Sequence, residues 1–161
     1  MTTPISGEGG VDAYARLAEL GLTLPSVAPP LAAYLPAVQS GDHVYVSGQL
    51  PLVDGELALA GKVGAEVTVE QAADLARICA LNALAAIEAL VGLGRLVKIV
   101  KVVGFVASAP GFTGQPAVVN GASQLFGEVL GEQGTHARSA VGVAELPLGA
   151  PVEVEIIAEI A

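Results

Sequence analysis

The sequence predicts a layered α+β or α/β domain in which one sheet carries two helices on a single face. Three observations predict it. Element signals run β-β-α-β-α-β-β behind a short N-terminal helix. The last strand candidate alternates cleanly, with Val152, Val154, Ile156 and Ala158 on one side and Glu153, Glu155, Ile157 and Glu159 on the other. Only 14% of the 161 residues are charged, against about 25% in an ordinary domain. A chain so poor in charge covers its own surface badly. The sheet face without helices therefore has to meet another subunit.

The elements follow in order. Residues 1–10 are rich in Gly, Thr and Ser and are expected to fray. Val11 to Leu20 suits a short helix that stops at Gly21, and Pro25, Pro29 and Pro30 make a linker. Leu31 to Gln39 and His43 to Ser47 read as a hairpin about Ser40-Gly41-Asp42. Gly48-Gln49-Leu50-Pro51 breaks the pairing, and Val53 to Gly64 is a Gly-punctuated excursion. Thr68 to Val91 is the longest helix, opened by a Thr68–Gln71 capping box and ended by Gly92 and Gly94. Leu96 to Ala107 is a Val-rich strand, in which Lys98 and Lys101 have opposite parity and leave its faces unassigned. Gln115 to Leu130 is the second helix, with Val118, Ala122, Leu125, Phe126 and Val129 on one face. Ser139 to Glu145 and Val152 to Ile160 are the closing strands.

Composition narrows the function. With 53% hydrophobic residues the chain is not disordered. The uncharged stretch Val102 to Gly127 is interrupted by prolines, amides and glycines, so it is no membrane helix. The N-terminus has neither a basic nor an apolar signal region, so a soluble, cytoplasmic protein is expected. A net charge of −9, with 7 basic residues scattered along the chain, argues against nucleic acid. Cys79 is the only cysteine and reads as a small core residue. His43 and His136 are isolated and read as structural, so no metal site is expected. No GxGxxG, Walker, HExxH or GxSxG motif occurs.

Arg138 stands out. It lies at a loop-to-strand junction in a nearly uncharged stretch, with Glu132 and Glu145 its nearest charged neighbours in sequence. Its planar fork suits a carboxylate ligand, or else a structural ion pair. Glu153 and Glu155 share one side of the last strand, either as a solvated face or as carboxylates able to move protons from a partly desolvated site.

Four segments then act together. They are Tyr34 in LAAYLPAVQSGDHVYVSGQLP, the strand from Val97 to Val106, Asn120 in PAVVNGASQLF, and His136-Ala137-Arg138-Ser139-Ala140-Val141 followed by Glu145-Leu146-Pro147-Leu148 and the strand from Val152 to Ala158. Their order and spacing closely resemble the RidA/YjgF family of reactive-intermediate (enamine/imine) deaminases, many of which carry the older label endoribonuclease L-PSP or translation inhibitor. The resemblance runs from Leu31 to the end. It divides the chain into an extension, residues 1–30, and a RidA/YjgF-like domain, residues 31–161.

The resemblance implies a chorismate-mutase-like α+β fold, three copies joined in a central barrel, and clefts between neighbouring subunits. It implies that Arg138 binds the carboxylate of a 2-enamino or 2-imino acid and that Glu153 orients water or moves the proton. Ser47 and Gly48 help hold the ligand, Tyr34 and Asn120 shape the pocket, and Asn120 supports its loops. Ala140 stands where many deaminases carry Cys. The implied reaction is hydrolysis to a 2-keto acid and ammonia, without metal or organic cofactor. The alternatives are a small-carboxylate-binding or regulatory trimer without turnover and, less favoured, an endoribonuclease.

Overall fold

A hairpin from the first half of the chain and three later strands build one sheet. The computed structural model describes residues 10–27 and 33–161. Its elements are helix α1 (Ala13–Glu19), strands β1 (Ala37–Ser40), β2 (His43–Gln49), β3 (Leu52–Val53) and β4 (Glu56–Leu57), helix α2 (Val69–Val91), strand β5 (Leu96–Ala107), helix α3 (Gln115–Leu130), and strands β6 (Ala137–Val143) and β7 (Val152–Ile160). The sheet order is β1-β2-β7-β5-β6. Every neighbouring pair is antiparallel except β5 and β6, which run parallel on either side of the α3 crossover.

The clean alternation of β7 places it in the middle of the sheet. Val152, Val154, Ile156, Ala158 and Ile160 are buried on the face that α2 covers, and the residues between them are half-buried on the opposite face. α2 begins as expected: the Thr68 hydroxyl accepts from the Gln71 amide at 3.1 Å, and the Gln71 side chain accepts from the Thr68 amide at 2.9 Å. The two helices cross closely. A β-carbon on Gly121 of α3 would lie 1.9 Å from the Ala73 carbonyl oxygen of α2, so only glycine fits. Phe126, Leu84, Ile87, Leu125 and Ile156 fill the layer between helices and sheet. Each such side chain contributes about 1.5–3 kcal/mol through burial.

Two irregularities settle the faces of β5. Its register against β7 shifts between Leu96 and Lys98 and again between Ile99 and Lys101. Each shift changes the parity, so Leu96, Ile99 and Val102, three apart, all face the helices. Lys98 pairs with Glu159 and Lys101 with Ile157, which puts both lysines on the other face despite their spacing.

Several boundaries differ from expectation. β1 starts at Ala37, because Pro36 has no N–H for the ladder and its carbonyl instead accepts from Ser47 at 2.8 Å. The expected start of that strand at Leu31 lies outside the described residues, as do residues 1–9. β6 spans Ala137–Val143 rather than Ser139 to Glu145, since its pairing with β5 already begins at Lys101–Ala137. Arg138 is thus inside a strand, not ahead of one. The excursion after Pro51 contains the β3–β4 hairpin, whose Asp54 and Gly55 both have positive φ (52° and 82°). Asp-Gly is the expected pair for such a turn.

Helix α1 packs back on the body. Asp12 caps it by accepting from Tyr14 and Ala15 amides, Ala13 and Leu17 are buried, and Arg16 Nε donates to the Glu128 carbonyl of α3 at 3.0 Å. No described element covers the second face of the sheet. Val38, Tyr45 and Val141 lie there, 45–46% exposed. Among the described residues, no helix is long and apolar enough to cross a membrane.

Candidate functional site

The candidate side chains fall into two groups on opposite faces of the sheet. The first is built where β2 meets β7. Their register slips by one residue between Val46 and Gln49, so Ser47 and Gly48 together oppose the single residue Glu155. The Ser47 hydroxyl donates to the Leu35 carbonyl at 2.6 Å, tying the segment that carries Tyr34 to this bulge. Tyr34 itself is 59% exposed. From α2, Asn82 Nδ2 donates to the carbonyls of Leu50 at 3.0 Å and Leu52 at 3.1 Å and pins the turn that follows.

Glu153 occupies the room that Gly48 leaves. A β-carbon on Gly48 would overlap the Glu153 carboxylate, 1.8 Å from Oε1. Burial, and secondarily the charge of Glu155, push the Glu153 carboxyl above the ordinary carboxylate value. It therefore holds a proton to higher pH than a surface glutamate does, as an acid–base group requires. Cys79 lies under the same strand, its thiol against the Val152 carbonyl at 3.8 Å. Burial, then the charge of Glu153, push that thiol well up, so it is a core group and no nucleophile.

The second group surrounds Arg138. β6 sets Arg138 opposite Val102, on the helix side of the sheet, where α3 presents Asn120 and Ser123 one turn apart. Arg138 Nη1 donates to Asn120 Oδ1 at 2.8 Å and to Ser123 Oγ at 3.2 Å. Ser123 Oγ lies 2.9 Å from His136 Nε2, and His136 Nδ1 lies 2.6 Å from the Gly134 carbonyl. Among the described residues no carboxylate is within ion-pair distance of Arg138, and Nε and Nη2 make no hydrogen bond. The internal ion pair, one of the two expectations for Arg138, is not formed among the described residues. Asn120 touches the arginine directly, whereas loop support was expected of it. Ala140 follows on the same side of β6, half-buried against the core.

The structure does not bring Arg138 and Glu153 together within one chain. They pair with Val102 and Phe105 from opposite sides of β5. That is roughly 10 Å along the strand and roughly 10 Å across it, on opposite faces. Ser123 and Asn82 were not among the expected residues, and His136, expected as structural, is hydrogen-bonded to Ser123. The i, i+3 spacing of Asn120 and Ser123 and the shared parity of His136 and Arg138 were the available signals. Among the described residues, no cluster of three or more His, Cys, Asp or Glu is arranged to hold a metal.

A five-stranded sheet backed by two helices, with a hydrogen-bonded arginine on its edge strand, defines a small α+β protein. The chain belongs to the endoribonuclease L-PSP family, whose family model matches residues 25–160. It is 46% identical over 148 residues to Protein TCP17 of Trypanosoma cruzi, covering 91% of this chain and 92% of that protein. A crystal structure of a protein of unknown function from Agrobacterium tumefaciens superposes with a TM-score of 0.87 at 47% identity, over 92% of each chain. E. coli TdcF with bound serine superposes with a TM-score of 0.60 at 25% identity, over 86% of this chain and 96% of that one.

Proposed function

We propose that this chain is a cytoplasmic hydrolase that deaminates reactive 2-enamino and 2-imino acids, working as a homotrimer with its sites between subunits. The observation that carries the reading is the state of Arg138. Its Nη1 is anchored, while Nε and Nη2 make no hydrogen bond and meet no internal anion among the described residues. Such an Nε–Nη2 edge accepts a carboxylate through two parallel hydrogen bonds. That TdcF binds serine supports a ligand bearing an α-carboxylate next to nitrogen. The opposite placement of Glu153 supports a site completed by a second copy, whose uncovered sheet face brings its Glu153 toward this arginine.

The reaction needs little more. With the carboxylate held by Arg138, the Glu153 carboxyl delivers its proton to the enamine carbon and generates the iminium. The resulting carboxylate takes a proton from water as the water oxygen bonds to the iminium carbon. The tetrahedral adduct then expels ammonia, leaving the 2-keto acid. Orientation and one acid–base group suffice, the latter contributing about 10²–10⁴-fold. Ser47, Gly48 and Tyr34 line the Glu153 side, and Asn120 and Ala140 the Arg138 side.

The test couples the protein to a serine dehydratase in the presence of semicarbazide, which traps the imine. The expected result is faster keto-acid release and less trapped imine with wild type, and neither with Arg138→Ala. Equal behaviour of wild type and Arg138→Ala overturns the reading. Keto-acid binding without any rate effect leaves a binding trimer instead. Cleavage of RNA that survives repurification and is lost in Arg138→Ala restores the ribonuclease reading.

A further inference from the structure

We propose that Ser123 and His136 are positioning residues for Arg138, forming a relay that sets the plane of its guanidinium. The inference rests on the reading of Arg138 as the carboxylate fork. Three hydrogen bonds in series carry it: Arg138 Nη1 to Ser123 Oγ at 3.2 Å, Ser123 Oγ to His136 Nε2 at 2.9 Å, and His136 Nδ1 to the Gly134 carbonyl at 2.6 Å. Their directions are mutually consistent. A carbonyl only accepts, so Nδ1 bears a proton; in the neutral ring Nε2 then accepts from the Ser123 hydroxyl, whose oxygen is left to accept from the arginine.

The ring at the end of the relay is itself held. His136 meets the buried Phe126 edge-to-face, with ring centres 5.9 Å apart and planes at 86°. Phe126 is fully buried in the helix–sheet layer. The relay therefore ties Arg138 to the core rather than to a surface loop. Asn120, the other partner of Nη1, is exposed and cannot fix the plane alone. With two acceptors on Nη1, rotation about the guanidinium is stopped and the Nε–Nη2 edge keeps one direction. A fork aimed in advance binds a carboxylate without first losing its freedom.

A carboxylate is present in the substrate and throughout the reaction, so misaiming the fork weakens ground and transition states alike. Ser123→Ala is expected to raise KM about tenfold, the scale of one hydrogen bond to a charged group, while kcat stays within about twofold. Ser123→Thr, which keeps the hydroxyl, restores KM. His136→Gln, whose amide oxygen can accept where Nε2 does, loses less than His136→Ala. Side-chain nitrogen NMR of Arg138 provides a readout independent of turnover. Slow rotation of Nη1 in wild type, faster rotation in Ser123→Ala and its recovery in Ser123→Thr support the relay. Unchanged rotation, or unchanged KM in a turning-over Ser123→Ala protein, overturns it. If wild type shows no turnover, the deaminase reading fails by itself, and the NMR comparison still decides the relay.

Discussion

Gly48 and Glu153 occupy one space: the carboxylate of Glu153 sits where a side chain on residue 48 would begin, 1.8 Å from an ideal β-carbon. The glycine of the β2 bulge is therefore the socket of the Glu153 carboxylate, the group proposed above to move the proton.

Gly48→Ala should separate activity from folding. The atom in the way is the far end of a flexible side chain, so Glu153 swings out and the backbone stays. The expected outcome is a thermal midpoint within a few degrees of wild type, with kcat lowered about 10²-fold or more through loss of proton transfer. Dehydratase-coupled kinetics and circular dichroism check the two halves.

Glu153→Gln should change the pH dependence of stability. Burial and the charge of Glu155 raise the folded-state value above the ordinary 4.5. The folded chain then binds more protons than the unfolded chain just above that pH, so wild-type stability falls as pH rises through the interval between the two values. The amide does not titrate. Urea unfolding from pH 4 to pH 7 should show the variant gaining on wild type across that interval, and keeping the advantage above it.

Gly121→Ala should injure the fold and leave the chemistry alone. The added methyl meets the Ala73 carbonyl at 1.9 Å, which is backbone and cannot swing aside. Helices α2 and α3 must separate, at a cost of about 1–3 kcal/mol or more. Denaturant titration measures it, and the folded fraction should retain the wild-type KM.

Tyr45→Glu should dissolve the assembly proposed for the uncovered face. Tyr45 is 45% exposed there, paired with Ile157 and near the carboxylates of β7. A new carboxylate buried between copies carries a desolvation cost. Sedimentation should move from a trimer to a monomer, and keto-acid release should disappear because Arg138 and Glu153 no longer share a cleft.

Much of this was legible in the chain itself. The capping box of Thr68 and Gln71, the alternation of Val152 to Ile160 and the span Gln115–Leu130 are local patterns, and the structure reproduces them. The Asp-Gly turn at Asp54 and Gly55 was equally local and went unread. The family, too, was readable from short segments at fixed spacing. Arg138 and Glu153 were visible as charges in apolar surroundings.

What only the tertiary structure decided is which faces and partners those residues have. The register shifts of β5 reverse its parity, so Lys98 and Lys101 share a face that their spacing assigns to two. The start of β6 at Ala137 turns Arg138 toward α3, where Asn120 and Ser123 wait for it. The bulge at Ser47 and Gly48 makes the hollow that Glu153 fills. Sequence periodicity reports one element at a time, whereas register and close approach belong to pairs of elements that meet only after folding. Hence the amino-acid order determined the class of protein and picked out Arg138 and Glu153 as candidates, and packing alone decided that these two residues of one chain stand on opposite faces of the sheet.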